Sequence, residues 1–232
     1  MEFPAVTICN QNSFRRTLSL KNGHYEILKA LYEKEDSSRG RDVLLERSIN
    51  VTMETLYTNN SHRAEDLIVT CKWKGEACNW SDFKPVLTQH GQCFTFLGNT
   101  TTEDGRIVDS PGVDNGLELV LNVEDYDSMV GPHSSSGVKV VLHHDTEVPM
   151  PEFGNELPTG RHGFMDVQVS KAQNVPPPHG NCVDRTLMYM GTYSYTVGAC
   201  QMECEMQFSP VLQRCAIQQM FGGIESEIPP TP

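Results

Sequence analysis

The sequence predicts an α+β, disulfide-rich fold of the extracellular kind, and three observations carry that prediction. Tyr25, Leu28, Leu31 and Tyr32 repeat at the i, i+3, i+4 spacing of a helix. Later the period drops to two, with Leu117, Leu119, Leu121 and Val123 in one run and Val138, Val140 and Leu142 in another. Eight cysteines without a C-x-x-C repeat accompany four Asn-x-Ser/Thr sequons, at Asn50, Asn59, Asn79 and Asn99. Cysteines and sequons together favour an oxidising, glycosylated exterior.

In chain order, residues 3–8 form a short apolar run suited to a buried strand. From Ser13 to about Arg47 the pattern is helical, interrupted by a polar turn at 36–40 and resuming at 43–45. Leu56 with Tyr57, and residues 67–69, suggest further short helical or irregular pieces. Cys71 and Cys78 enclose six residues that include Gly75, compatible with a small disulfide loop. Phe94 and Phe96 share one face of a strand, and residues 98–112 are polar. The two alternating runs follow, and residues 163–169 offer a further strand, Phe164, Asp166 and Gln168 facing opposite Met165, Val167 and Val169. A stiff proline run at 176–178 then delivers the chain into a helix that Ser194 or Thr196 can cap. On that helix Cys200 and Cys204 lie four apart on one face, poorly placed to bond to each other and ready to be stapled to a second helix.

At 232 residues the chain can bury a sizeable core. Its formal charge of −12 argues against nucleic acid, whose phosphates need basic patches. The cysteine spacings match no zinc site, so no metal or cofactor is expected. His143, His144 and Asp145 form the one local cluster resembling a metal or acid–base group. They directly follow an alternating strand, where polar residues mark the start of a loop. No G-x-S-x-G, H-E-x-x-H or P-loop occurs, and no enzyme is expected. No window approaches the roughly 20 apolar residues of a spanning helix. An extracellular composition without an export signal leads us to read the chain as a fragment.

Three motifs carry a family resemblance. Phe3-Pro4-Ala5-Val6-Thr7-Ile8-Cys9-Asn10 is the first. The second is Cys71-Lys72-Trp73-Lys74-Gly75-Glu76-Ala77-Cys78, followed by Phe83 and Gly91-Gln92-Cys93-Phe94-Thr95-Phe96. The third joins Pro176-Pro177-Pro178 and Gly180-Asn181-Cys182 to Tyr193-Ser194-Tyr195, Ala199-Cys200 and Cys204-Glu205. In this order they resemble the degenerin/epithelial sodium channel family, which includes acid-sensing and peptide-gated channels. The resemblance implies a channel ectodomain with a β-sheet palm and β-ball, a helical finger and the start of a helical thumb. It assigns 1–12 to the first palm strand, 13–91 to the finger, 92–181 to palm and β-ball strands, and 182–232 to the thumb. It pairs Cys9 with Cys93 and Cys71 with Cys78, and directs Cys182, Cys200, Cys204 and Cys215 to partners beyond the chain.

The function so implied is the extracellular part of a trimeric, amiloride-sensitive-type sodium channel subunit at the plasma membrane. Its neighbours would be homologous subunits, its ligand a proton or a neuropeptide. Sodium would pass, and the membrane be crossed, through segments outside these residues. Glu118, Glu124, Asp125 and Asp127 fall where acid-sensing relatives place an acidic pocket; crowded carboxylates share protons, which suits a proton or cation sensor, and the other reading of the same acids is a solvated loop end. His90 titrates in the mildly acidic range if unperturbed. His179 stands where those relatives carry a tryptophan that touches the first membrane helix, and would make a smaller, titratable contact. Two other readings are a secreted disulfide-rich binding module without a pore and a secreted hydrolase built on His143, His144 and Asp145.

Overall fold

The computed structural model describes residues 2–33, 51–98, 105–133, 135–170, 178–179, 186–188 and 190–208. Its centre is strand β1, Ala5–Asn10, in which all six residues are buried. Neighbouring strands occupy both its edges, β5 (Gly91–Phe96) through Cys9 opposite Cys93 and β7 (Gly137–His143) through Asn10 opposite Val138. A strand covered on both faces needs no alternation, which explains the continuous apolar run in its sequence. With β4 (Phe83–Thr88) and β8 (Asn155–Pro158) these strands form an antiparallel sheet in the order β4-β5-β1-β7-β8. Pro85 is accommodated because β4 is an edge strand, where one missing amide costs no ladder bond.

A second, three-stranded sheet has the order β3-β2-β6, from β2 (Ile68–Trp73), β3 (Glu76–Cys78) and β6 (Leu117–Leu121). Lys74 and Gly75 both have positive φ, the requirement of the two-residue hairpin turn between β2 and β3. The two sheets share one core. Ile68, Cys71 and Trp73 of β2 pack with Val6, Ile8, Phe83, Phe94, Phe96 and Val138. Trp73 sits between Phe3 and Phe96, with ring centroids 4.6 and 5.5 Å away, and its indole N–H donates to the Gly105 carbonyl. Cys9 is bonded to Cys93 and Cys71 to Cys78, each joining residues directly opposite in a ladder.

Four short helices precede β2: α1 (Arg16–Lys21), α2 (Tyr25–Tyr32), α3 (Met53–Asn60) and α4 (Ala64–Leu67), and α2 and α3 pack together around Phe14. The Thr52 side chain caps α3 by accepting from the Thr55 amide. Phe14 anchors this packing, stacked on Tyr57 at 5.0 Å and packed with Ile27, Leu28 and Leu56. A third cluster seats helix α5 (Val197–Phe208) through Ala199 and Met202 against Val148, Leu187 and Met190. Thr196 caps α5 by accepting from the Ala199 amide, whereas Ser194 is bound to Thr146. Ser194 therefore anchors the approach and does not cap.

Two expectations need correction. Residues 163–169 form no strand. Phe164, Met165 and Val169 are exposed, so no sheet covers either face of the alternation. Leu67 ends α4, while Ile68 and Val69 open β2, so the piece at 67–69 is a helix-to-strand junction. The expected polar turn at 36–40 and helical resumption at 43–45 lie outside the described residues. Among the described residues no helix is long and apolar enough to cross a membrane.

Candidate functional site

Leaving β1, the chain stays buried from Gln11 to Phe14. Polar groups buried there must all find partners, and they reach across the fold to do so. The Asn10 side-chain amide donates to the Val123 carbonyl at 2.9 Å and that of Asn12 to the Met129 carbonyl at 2.7 Å. The Ser13 hydroxyl donates to the His90 carbonyl at 2.6 Å. Two of these bonds clamp the segment after β6. There Glu124 takes a left-handed conformation, φ 50°, and a short 3-10 turn, Asp125–Asp127, follows. Both features turn carboxylates inward: Glu124 is 2% exposed and Asp127 4%.

Arg15 receives them. Its guanidinium is 2.7 Å from Asp66, 3.1 Å from Glu124 and 3.0 Å from Asp127. Asp127 also accepts from the amide and hydroxyl of Thr17. Burial opposes ionisation of Asp127, but the Thr17 bonds and the Arg15 charge outweigh it and hold the carboxyl below its usual range. Burial likewise works against the Arg15 cation, but the Asp127 hydrogen bond and the charges of Glu124 and Asp66 raise its pKa. One guanidinium thus faces three carboxylates, an excess of negative charge that one further proton would reduce.

His62 is placed to take that proton. It is 3% exposed, with Nδ1 2.9 Å from Glu124 Oε2 and Nε2 3.4 Å from Asn12 Oδ1. A carboxylate only accepts, so neutral His62 carries its hydrogen on Nδ1. Its Nε2 lone pair then faces a second acceptor, the Asn12 oxygen, fixed in place by the Met129 bond. Protonation makes both nitrogens donors to the two oxygens before them. Burial pulls the His62 pKa down more strongly than Glu124 pulls it up, so the ring is neutral at neutral pH and charges in acid. Tyr126 covers the cluster from outside by donating to Glu124 Oε1 at 3.0 Å.

The sequence candidates separate. Glu124 and Asp127 enter this cluster; Asp125 is exposed. Glu118 lies on the outer face of β6, paired with Lys72 at 3.2 Å. His90 is buried against His133, and His179 is exposed. Asn59 and Asn79 are exposed, while Asn50 and Asn99 lie outside the described residues. Cys200 and Cys204 form no disulfide among the described residues, and Cys182 and Cys215 lie outside them. His143 is committed to Thr7 and to the His144 carbonyl, and Asp145 to Arg106 at 2.7 Å. No group of three potential metal ligands occurs among the described residues. Arg15, Thr17, His62 and Asp66 escaped the sequence reading. Their partners lie up to 112 residues away, and no local spacing marks them.

The chain belongs to the amiloride-sensitive sodium channel family, whose model matches residues 1–223. Among its relatives, acid-sensing ion channel 1 of Gallus gallus is 29% identical over 96% of this chain and 47% of that protein. Acid-sensing ion channel 2 of Danio rerio is 29% identical over 94% and 45%, and acid-sensing ion channel 4 of Homo sapiens 28% over 98% and 44%. The chain spans about half the length of these relatives. They are named as ion channels, not enzymes.

Proposed function

We propose that this chain is part of the extracellular domain of a trimeric, proton-gated sodium channel subunit at the plasma membrane. Its family and its acid-sensing relatives support this reading. In it the five-stranded sheet serves as palm, the three-stranded sheet as β-ball, α2 and α3 as finger, and α5 as the first thumb helix. Cys182, Cys200, Cys204 and Cys215 bond to partners outside these residues, and sodium flows through a pore that is likewise outside them.

The observation that carries proton gating is His62, held neutral between two oxygen acceptors within a cluster of excess negative charge. Its pKa in this arrangement lies below the ordinary 6.5. The arrangement is therefore fully stable above about pH 6.5 and weakens as pH falls through the lowered value. Acid shifts the population towards conformations that hold a charged His62 more readily. Glu124 and Asp127 connect this change to Arg15, and through the 11–14 segment to β1.

Acid steps from about pH 7.4 to pH 5 on cells expressing the natural full-length subunit should evoke an amiloride-sensitive sodium current. His62→Gln should move its half-maximal pH in the acidic direction at unchanged surface expression. A subunit silent to acid but opened by a basic neuropeptide would overturn proton gating. A protein secreted without any current would overturn the channel reading.

A further inference from the structure

The β4–β5 hairpin turns at Gln89 and His90, and the His90 ring lies flat on that of His133, centroids 3.7 Å apart and planes 15° from parallel. His90 is 6% exposed, and its Nδ1 has no hydrogen-bond partner among the described residues. His133 comes from another element, the segment between the Asp125–Asp127 turn and β7. The other charged groups facing the pair are Lys139 of β7, Glu156 of β8 and, for His133, Glu152 of the Pro151–Phe153 turn. Lys139 and Glu156 form an ion pair at 3.2 Å. Among the described residues no third potential metal ligand joins the pair.

We propose that the His90–His133 stack is an acid-released latch that fastens the 129–133 segment to the β4–β5 turn and lets go when either ring takes a proton. A neutral stack gains dispersion and burial. A proton on His90 Nδ1 would create a buried cationic N–H with no acceptor among the described residues, directly against a second imidazole, and burying an unpaired charge is costly. Opening the stack to water removes that cost. Burial first, then the charges of His133 and Lys139, push His90 down to about 4, and burial lowers His133 as well.

Release has a defined reach. The Met129 carbonyl holds Asn12, and Gly131 lies so close to Phe14 that a Cβ there would approach the ring to 3.3 Å. The segment freed by acid is therefore the cover of the Phe14 core and the support of the Asn12 oxygen.

Hydrogen exchange of the natural full-length protein, corrected for intrinsic rates, tests the latch. A pKa near 4 in the closed stack against the ordinary 6.5 implies an opening constant about 30-fold larger at pH 5 than at pH 7.5. Exchange in peptides covering 86–93 and 128–133 should rise accordingly, while the β2–β6 pair stays unchanged. His90→Phe keeps a flat ring and removes one of the two titrations, so it should diminish the rise; His133→Phe should do the same and decides the matter if the first variant does not fold, and the double variant should flatten the profile. An undiminished rise in either folded variant, or a wild-type rise below about threefold, overturns the latch. Exchange is read without current, so failure here leaves the channel reading standing.

Discussion

Arg15 shows how one side chain can decide the fate of several others. Its three carboxylate partners come from α4 and from the turn after β6, and two of them are almost wholly buried. Removing one partner of a buried pair costs more than the pair itself contributes, because the remaining charges stay in a poor solvent. Arg15→Ala should therefore destabilise the protein by about 3 kcal/mol, read as a lower unfolding midpoint in denaturant. A change within 0.5 kcal/mol, the range of an ordinary surface substitution, would show that water already screens the cluster. The mutual placement of these residues had no mark in the sequence. An acidic run such as Glu124-Asp125-Tyr126-Asp127 reads the same whether solvated or buried, and only the left-handed turn at Glu124 sends two of its acids inward.

Among the elements, legibility followed the regularity and length of the apolar pattern. Strands β6 and β7 announced themselves by alternation, and α2 by its stripe. Strands β4 and β8 gave no such sign: β4 contains Pro85 and β8 is four residues long, both tolerated at sheet edges. The alternation at 163–169 shows the converse, since a period of two makes a strand only where a partner strand and a covered face exist. Gly137 carries an element-scale prediction. With φ 141° it brings β7 against β8, and a Cβ would fall 2.5 Å from the Leu157 carbonyl oxygen. Backbone cannot yield as a side chain tip can, so Gly137→Ala should destabilise by about 2 kcal/mol or more. An unchanged melting temperature would refute the account.

At the scale of the whole molecule, β1 binds the two sheets and the charge cluster into one body. The bond from Cys9 to Cys93 closes a loop of 84 residues that contains α1 to α4, β2, β3 and β4. By the chain-entropy account such a closure is worth about 4.5 kcal/mol. The double substitution Cys9→Ala with Cys93→Ala should lower stability by roughly that amount, more than loss of the short Cys71–Cys78 loop. Equal effects of the two would refute the loop-length argument.

The order of contacts along β1 has a mechanical consequence. Phe3 is bonded to Arg106, the next residues are laddered on both sides, and Asn10, Asn12 and Arg15 then grip the far loops in succession. Tension applied along the strand axis loads both ladders in shear, so their hydrogen bonds must yield together and not one after another as in peeling. The strand therefore behaves as an inextensible tie, and a displacement at Phe3 arrives at Arg15 with little of it lost to stretching on the way.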